Sequence, residues 1–332
     1  MAGLCVAGAI AAGLVAVISS QRSERKAKRA VATARPTVSR IVAAGDPFVV
    51  FRNTATGDDV TLGRISVAAL DDGARPSRRL LAGPRCLRVA YSAGRGLCLD
   101  GAVGGGMSVK ILDSQLRESS EVKLTGLPSR ARIAPGGRWG GVTSFIVGHS
   151  YKDPGSFSTA ATIIDLQRGK VIADLERDVD VTVDGKPMRA RDRNFWGLTF
   201  AADGDTFYAT AASGVRTWLI KGSIRERQAQ AIHENVECPS LSPDGTRIAY
   251  KKSLAAGSGD WRFTVLDLRT GLETELTEPR SIDDQLEWVS DGMLAYADED
   301  KTTWIIPADA SGKPRRWLEN ADSLTAVGTA SG

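Results

Sequence analysis

Histidine and cysteine are scarce in this 332-residue chain, with two and four residues respectively. His149 and His233 stand far apart without paired carboxylates, and Cys86, Cys98 and Cys238 are scattered, so no four-ligand metal cluster is expected. No Gly-x-Ser-x-Gly elbow occurs, which removes the clearest mark of a nucleophilic hydrolase. The glycine-rich Gly101–Gly106 lies between two strand patterns rather than at a helix start. It lacks the amide and dipole cradle of a phosphate site and reads as a hairpin. The expectation is therefore no catalytic residue, no metal and no cofactor. Helical periodicity is also missing, since no ten-residue stretch beyond residue 45 repeats its apolar residues every 3.6 positions.

What is present is ordinary for a globular protein: 42% hydrophobic and 25% charged residues, enough to bury a sizeable core. Repeat and all-β architectures of this length commonly form one unit. The net charge of +4 is a local effect: residues 1–40 hold seven Lys or Arg against Glu24 alone, which leaves the rest slightly acidic. That distribution gives no basic face for nucleic acid, and no nucleic-acid partner is expected.

Ala2 to Ile18 carry no charge and are built from small and aliphatic residues. Residues 1–20 read as a signal anchor or signal peptide and 21–45 as a basic linker, with the membrane engaged through residues 2–18. A family resemblance given below favours an extracytoplasmic position, membrane-anchored or secreted. The basic cluster from Arg22 to Arg29 follows the apolar segment, and by the positive-inside rule that flank favours the opposite orientation. Ala32-Thr33-Ala34 offers a small-residue cleavage pattern, although well beyond the apolar core. Cys5 follows a bulky Leu4 and reads as a buried apolar cysteine rather than a lipidated one.

Beyond residue 45 the chain repeats itself. Leu241-Ser-Pro-Asp-Gly-Thr-Arg-Ile-Ala-Tyr250 joins two strand patterns by a tight turn: Pro243 presets φ, Asp244 bonds the backbone ahead, and Gly245 takes the positive φ. Weaker copies place turn glycines at 94, 137, 204 and 292, and three of the four spacings fall between 41 and 47 residues. The fourth, 67 residues, contains Gly148–Ser158 and Asp184–Asn194, which read as insertions on a blade edge. A second apolar strand motif occurs six times, beginning at Ile65, Val109, Ala161, Thr217, Phe263 and Thr303.

Leu-Ser-Pro-Asp-Gly-Thr-Arg-Ile-Ala-Tyr followed by Val265-Leu-Asp-Leu-Arg-Thr-Gly271 resembles the propeller repeat of the TolB family over residues 46–332. The resemblance implies an all-β, six-bladed propeller of four-stranded blades. The same repeat occurs in the propellers of prolyl-oligopeptidase-type peptidases, whose catalytic hydrolase segment is not matched here. In the TolB family a compact α/β domain precedes the propeller; only the basic linker does so here, and roles tied to that domain are not carried over. Five turn motifs against six second motifs call for one strand from elsewhere. Asn320 to Val327 is expected to supply it, closing the first blade, which starts at Phe48.

Cys86 and Cys98 flank one hairpin, and an oxidising compartment would allow them to pair. With a turn over Ser92–Arg95, however, Cys98 faces Val89 and Cys86 points to the other side of the sheet, which favours separate buried thiols. Trp218, Trp261 and Trp304 recur at like places and read as a packing layer. Alignment of the segments before the innermost strands places Asn194, Asn235, Asp283 and Asn320 in equivalent slots, where they would ring one channel mouth as a binding site. Their other reading is turn chemistry. The expected function is a monomeric, non-catalytic scaffold of the cell envelope that binds a protein, peptide or envelope component. The alternative is a propeller enzyme of the lactonase or lyase type, with carboxylates gathered in the channel.

Overall fold

Strands whose two faces are both apolar must be covered on both sides, and the repeats meet that need by packing sheet against sheet around an axis. The computed structural model describes residues 2–71, 74–102, 106–147 and 158–328, with side chains from Val17 onward, Val147 excepted. Among them the strands form six sheets in a six-bladed propeller. From the axis outward, blade 2 runs Arg88–Ser92, Arg95–Gly101, Met107–Leu112, Glu118–Leu124, and blade 3 Leu127–Ile133, Trp139–Val147, Ser158–Asp165, Lys170–Asp174. Blade 4 holds Asn194–Phe200, Thr206–Ser213, Arg216–Ser223 and Gln228–Glu234; blade 5 Glu237–Leu241, Arg247–Ser253, Trp261–Asp267 and Glu273–Glu275. Blade 6 is Glu287–Ser290, Met293–Ala297, Thr303–Pro307 and Arg315–Leu318.

Blade 1 closes the ring. Its innermost strand is the C-terminal Ala321–Val327, paired antiparallel with Phe48–Asn53 (Phe48 opposite Val327), followed by Arg64–Ala69 and Leu80–Arg85. The six second motifs are the third strand of each blade, and the turn motifs join the two inner strands of blades 2 to 6. Asp244 accepts from Thr246 N at 2.9 Å and Gly245 sits at φ +73°, as the turn chemistry requires. At the end of a third strand, Asp267 Oδ1 accepts from the amides of Arg269 and Thr270, and Asp165 and Asp113 repeat the device.

The hydrophobic clusters lie between neighbouring blades. Val49 and Phe51 of blade 1 meet Val289 and Ile305 of blade 6. Phe263 of blade 5 meets Trp288 and Tyr296 of blade 6, and Leu97 of blade 2 meets Ile133 and Ile164 of blade 3. Each blade is thus held chiefly by its neighbours.

Helix Ala2–Ala44 runs unbroken through the stretch read as a linker. Val38, with Ala34, Ile41 and Val42 partly buried, packs against blades 1 and 2; Ala27 is fully buried, and Glu24 pairs with Arg64. Its basic residues Arg22, Arg25, Lys28 and Arg29 stay exposed. No helix among the described residues is long and apolar enough to cross a membrane.

Two expectations meet a different outcome or fall in part outside the described residues. Cys86 and Cys98 form a disulfide, with an S–S distance of 2.04 Å and Cα atoms 5.4 Å apart. The expected register is present, Val89 opposite Cys98. The strand nevertheless starts at Arg88, so Cys86 lies in the connection from blade 1, where the alternation of faces no longer applies. Among the described residues after 45, helix is confined to the single turn Leu175–Asp178, capped by Asp174 and too short to depart from the expected lack of helical periodicity. Of the two insertions, 148–157 lie outside the described residues, as do His149 and positions 103–105 of the glycine-rich hairpin. The other does extend a blade edge: Asp180–Val183 pairs parallel to Gln228–Glu234, and Lys186–Pro187 folds back on it.

Candidate functional site

The innermost strands surround a central cavity of about 660 Å³, touched by all six blades. Such strands are mostly apolar, so their charged residues stand out. Arg130 and Arg132 alternate along Leu127–Ile133 and therefore share one face. Arg132 Nη1 reaches Glu287 at 2.7 Å and its Nη2 donates to Leu286 O at 3.0 Å. Arg130 contacts Asp283 at 3.2 Å. Blades 3 and 6 lie opposite each other in the ring, so these pairs span the channel.

Asp283 is a hub. Lys251 Nζ from blade 5 also bonds its Oδ1, at 2.7 Å. Burial works against the Lys251 charge, but Asp283 keeps its pKa above the ordinary value. On blade 1, Asp322 takes a bidentate pair from Arg52 at 2.7 Å, with Arg88 at 3.9 Å and Lys301 at 3.8 Å. Arg88 donates to Ser129 O at 2.6 Å, and burial and the neighbouring Arg130 lower its pKa. Burial raises the pKa of Glu287 and Asp284; Asp284 Oδ2 accepts from the Ala297 amide at 2.8 Å. The channel is therefore sided: guanidinium groups on blades 2 and 3 face carboxylates on blades 6 and 1. Among the described residues no group of three His, Cys, Asp or Glu is placed to hold a metal.

Of the four residues aligned from the sequence, Asn194 begins an innermost strand and Asn235, Asp283 and Asn320 lie shortly before one, but they do not converge. Asp283 lines the central cavity. Asn194 and Asn235 line a second, smaller cavity between blades 4 and 5, and Asn320 lines neither. Asn235 and Asn320 take φ of +57° and +51°, the left-handed conformation that asparagine tolerates in turns. The Asn235 carboxamide bonds both Ser253 N and Ser253 O, and Asn194 Oδ1 accepts from Thr159 N at 2.9 Å, tying blade 4 to blade 3. Arg88, Arg130, Arg132, Lys251, Glu287 and Asp322 were not singled out from the sequence. Lys251 stands on the second strand of blade 5; the signal of the other five was a charge within an innermost strand rather than a position in front of it.

His233 lies on the outer side of blade 4, with Nε2 at 2.8 Å from Glu273, which also takes Tyr250 and Lys252. Burial opposes the Glu273 charge, but these donors hold its pKa to about 2. Trp218 and Trp261 are buried as a packing layer requires, and Trp304 is partly so. Each carries a cation over its ring: Arg216 at 4.8 Å, Lys251 at 4.0 Å and Arg280 at 4.4 Å.

No family model and no curated protein matches the chain. Among solved structures, TolB from Acinetobacter baumannii is similar at a TM-score of 0.59 and 16% identity, over 85% of this chain and 66% of that one. The fold is a TolB-like propeller. It spans just under two thirds of that TolB's length. A chain in the crystal structure of a nidogen/laminin complex is similar at a TM-score of 0.55 and 10% identity, over 85% of this chain and 98% of that one. At these identities the likeness is one of fold.

Proposed function

We propose that this TolB-like propeller is a non-catalytic binding scaffold that receives a protein or peptide segment at its central channel. The observation that carries the reading is the sided charge of the 660 Å³ cavity, which would orient a segment bearing both signs of charge. Similarity in fold to a chain of a nidogen/laminin complex supports a protein partner. The channel carboxylates lean on guanidinium groups, an ammonium or a backbone amide, which suits fixed electrostatics.

A photo-crosslinking amino acid at Leu324, which lines the cavity, should trap a discrete partner in cells, and the same group at Thr274 on the outer strand of blade 5 should not. Adducts from Thr274 alone would move the binding face away from the channel.

The same reading places the propeller outside the cytoplasm, with residues 2–18 as its targeting or tethering segment. The Cys86–Cys98 disulfide supports an oxidising compartment. Protease added to intact cells should degrade the propeller; protection until lysis would place it inside.

A further inference from the structure

The cavity between blades 4 and 5, about 300 Å³, is separate from the channel and is a built site. Its walls are the indoles of Trp196 and Trp261, 2% and 1% exposed, with Ala212 of the same apolar cluster. Its rim carries Val215 and Leu254, both 55% exposed, on the loops that join the second and third strands of the two blades. The volume lies at the small end of ligand pockets and suits one side chain or a compact molecule.

A carboxyl group opens into this space. Glu237, the first residue of the innermost strand of blade 5, lines the cavity although it is only 8% exposed. Its Oε1 accepts from Trp261 Nε1 at 2.9 Å. Among the described residues that is the hydrogen bond its carboxyl makes, so Oε2 is left for an occupant. Two other charged residues line the cavity, Arg216 and Glu234, and they pair with each other at 2.6 Å. Of the groups packed behind Glu237, Lys251 is bonded to Asp283, which Arg130 also contacts. The acceptor that the cavity offers is therefore a carboxyl oxygen, set among aromatic and aliphatic walls.

We propose that this cavity binds an organic cation, an ammonium or guanidinium on a short apolar stem, with Glu237 as its anchor and Trp196 and Trp261 as its walls. A cationic donor supplies a charge-assisted hydrogen bond to Oε2. The Trp261 ring already carries Lys251 at 4.0 Å, so the indoles contribute apolar walls to the ligand. The stem occupies the apolar space that Ala212 and Leu254 border. Burial holds the free Glu237 carboxyl above its ordinary pKa. A bound cation reverses that shift, so uptake of the ligand releases protons near the free carboxyl's pKa.

The probes are n-butylamine and butylguanidine, titrated by calorimetry in buffers of different ionisation enthalpy, with n-butanol as the uncharged isostere. Both cations should bind at one saturable site, about tenfold or more tighter than butanol, with proton release on binding. Glu237→Gln keeps an acceptor for Trp261 Nε1 and should lower cation affinity by about tenfold or more while abolishing the proton release. Leu254→Glu, an exposed change at the rim, should tighten the cations by about twofold. Butanol binding as well as butylamine, undiminished affinity in Glu237→Gln, weaker cation binding in Leu254→Glu, or no binding to the wild type would each overturn the assignment. None of these results bears on whether the channel receives a polypeptide.

Discussion

At the scale of single residues, Glu176 joins two blades. From the one-turn helix it accepts from Ala161 N of blade 3 at 2.9 Å and Phe195 N of blade 4 at 3.2 Å. Burial lifts its pKa from 4.5 to about 8. The folded protein then keeps a proton that the unfolded chain gives up, so this group's stabilisation is full at low pH and declines between pH 4.5 and 8, by at most about 1.4 kcal/mol per pH unit. Glu176→Gln should flatten that part of the profile in urea titrations at several pH values, and an unchanged slope would remove Glu176 as its source. The Cys86–Cys98 disulfide closes a short loop, with a separation of 12 residues. Changing both cysteines to serine should cost about 3 kcal/mol, read as a lower urea midpoint for the variant than for the oxidised wild type.

At the scale of elements, the closing strand Ala321–Val327 bonds across blades as well as within its own. Ser323 Oγ takes Val89 N at 2.8 Å, and the Ala326 amide donates to Glu287 at 3.2 Å. Removing residues from Asn320 onward opens the ring, bares the edge of Phe48–Asn53 and uncovers the blade 1 and blade 6 core. The loss should exceed the roughly 5–15 kcal/mol by which domains of this kind are stable, so cooperative unfolding should disappear from calorimetry. A truncated chain that melts like the full one would refute the closure as a source of stability.

At the scale of the whole molecule, the charge pairs of the channel act as struts between opposite blades. Arg132 and Glu287 are both largely buried, at 17% and 11% side-chain exposure. Arg132→Ala leaves a buried carboxylate without its partner and should destabilise by about 3–5 kcal/mol, with much of that recovered when Glu287→Ala is added. Equal stabilities of wild type and Arg132→Ala in chemical denaturation would show that the strut contributes nothing.

The propeller was legible because its signals are local and periodic. The Ser-Pro-Asp-Gly turn, the alternation after it and the missing strand that Asn320–Val327 supplies are all properties of neighbouring residues, and six copies of one pattern admit few arrangements. The site was only partly legible. Asp283 was found because it stands before a strand, but the partners that make it a hub, Arg130 and Lys251, come from blades 3 and 5, 153 and 32 residues away. Glu237 gained its aromatic walls in the same way, from Trp196 across a blade boundary and from Trp261 two strands further on. Cys86 shows the limit of pattern at its sharpest, since alternation rules a strand and says nothing of the connection beside it. The sequence by itself determined the fold and its closure, because turns and strand periods act over a few residues. The tertiary structure alone decided which charges face one another, because a ring brings distant residues to its axis and to the boundaries between its blades.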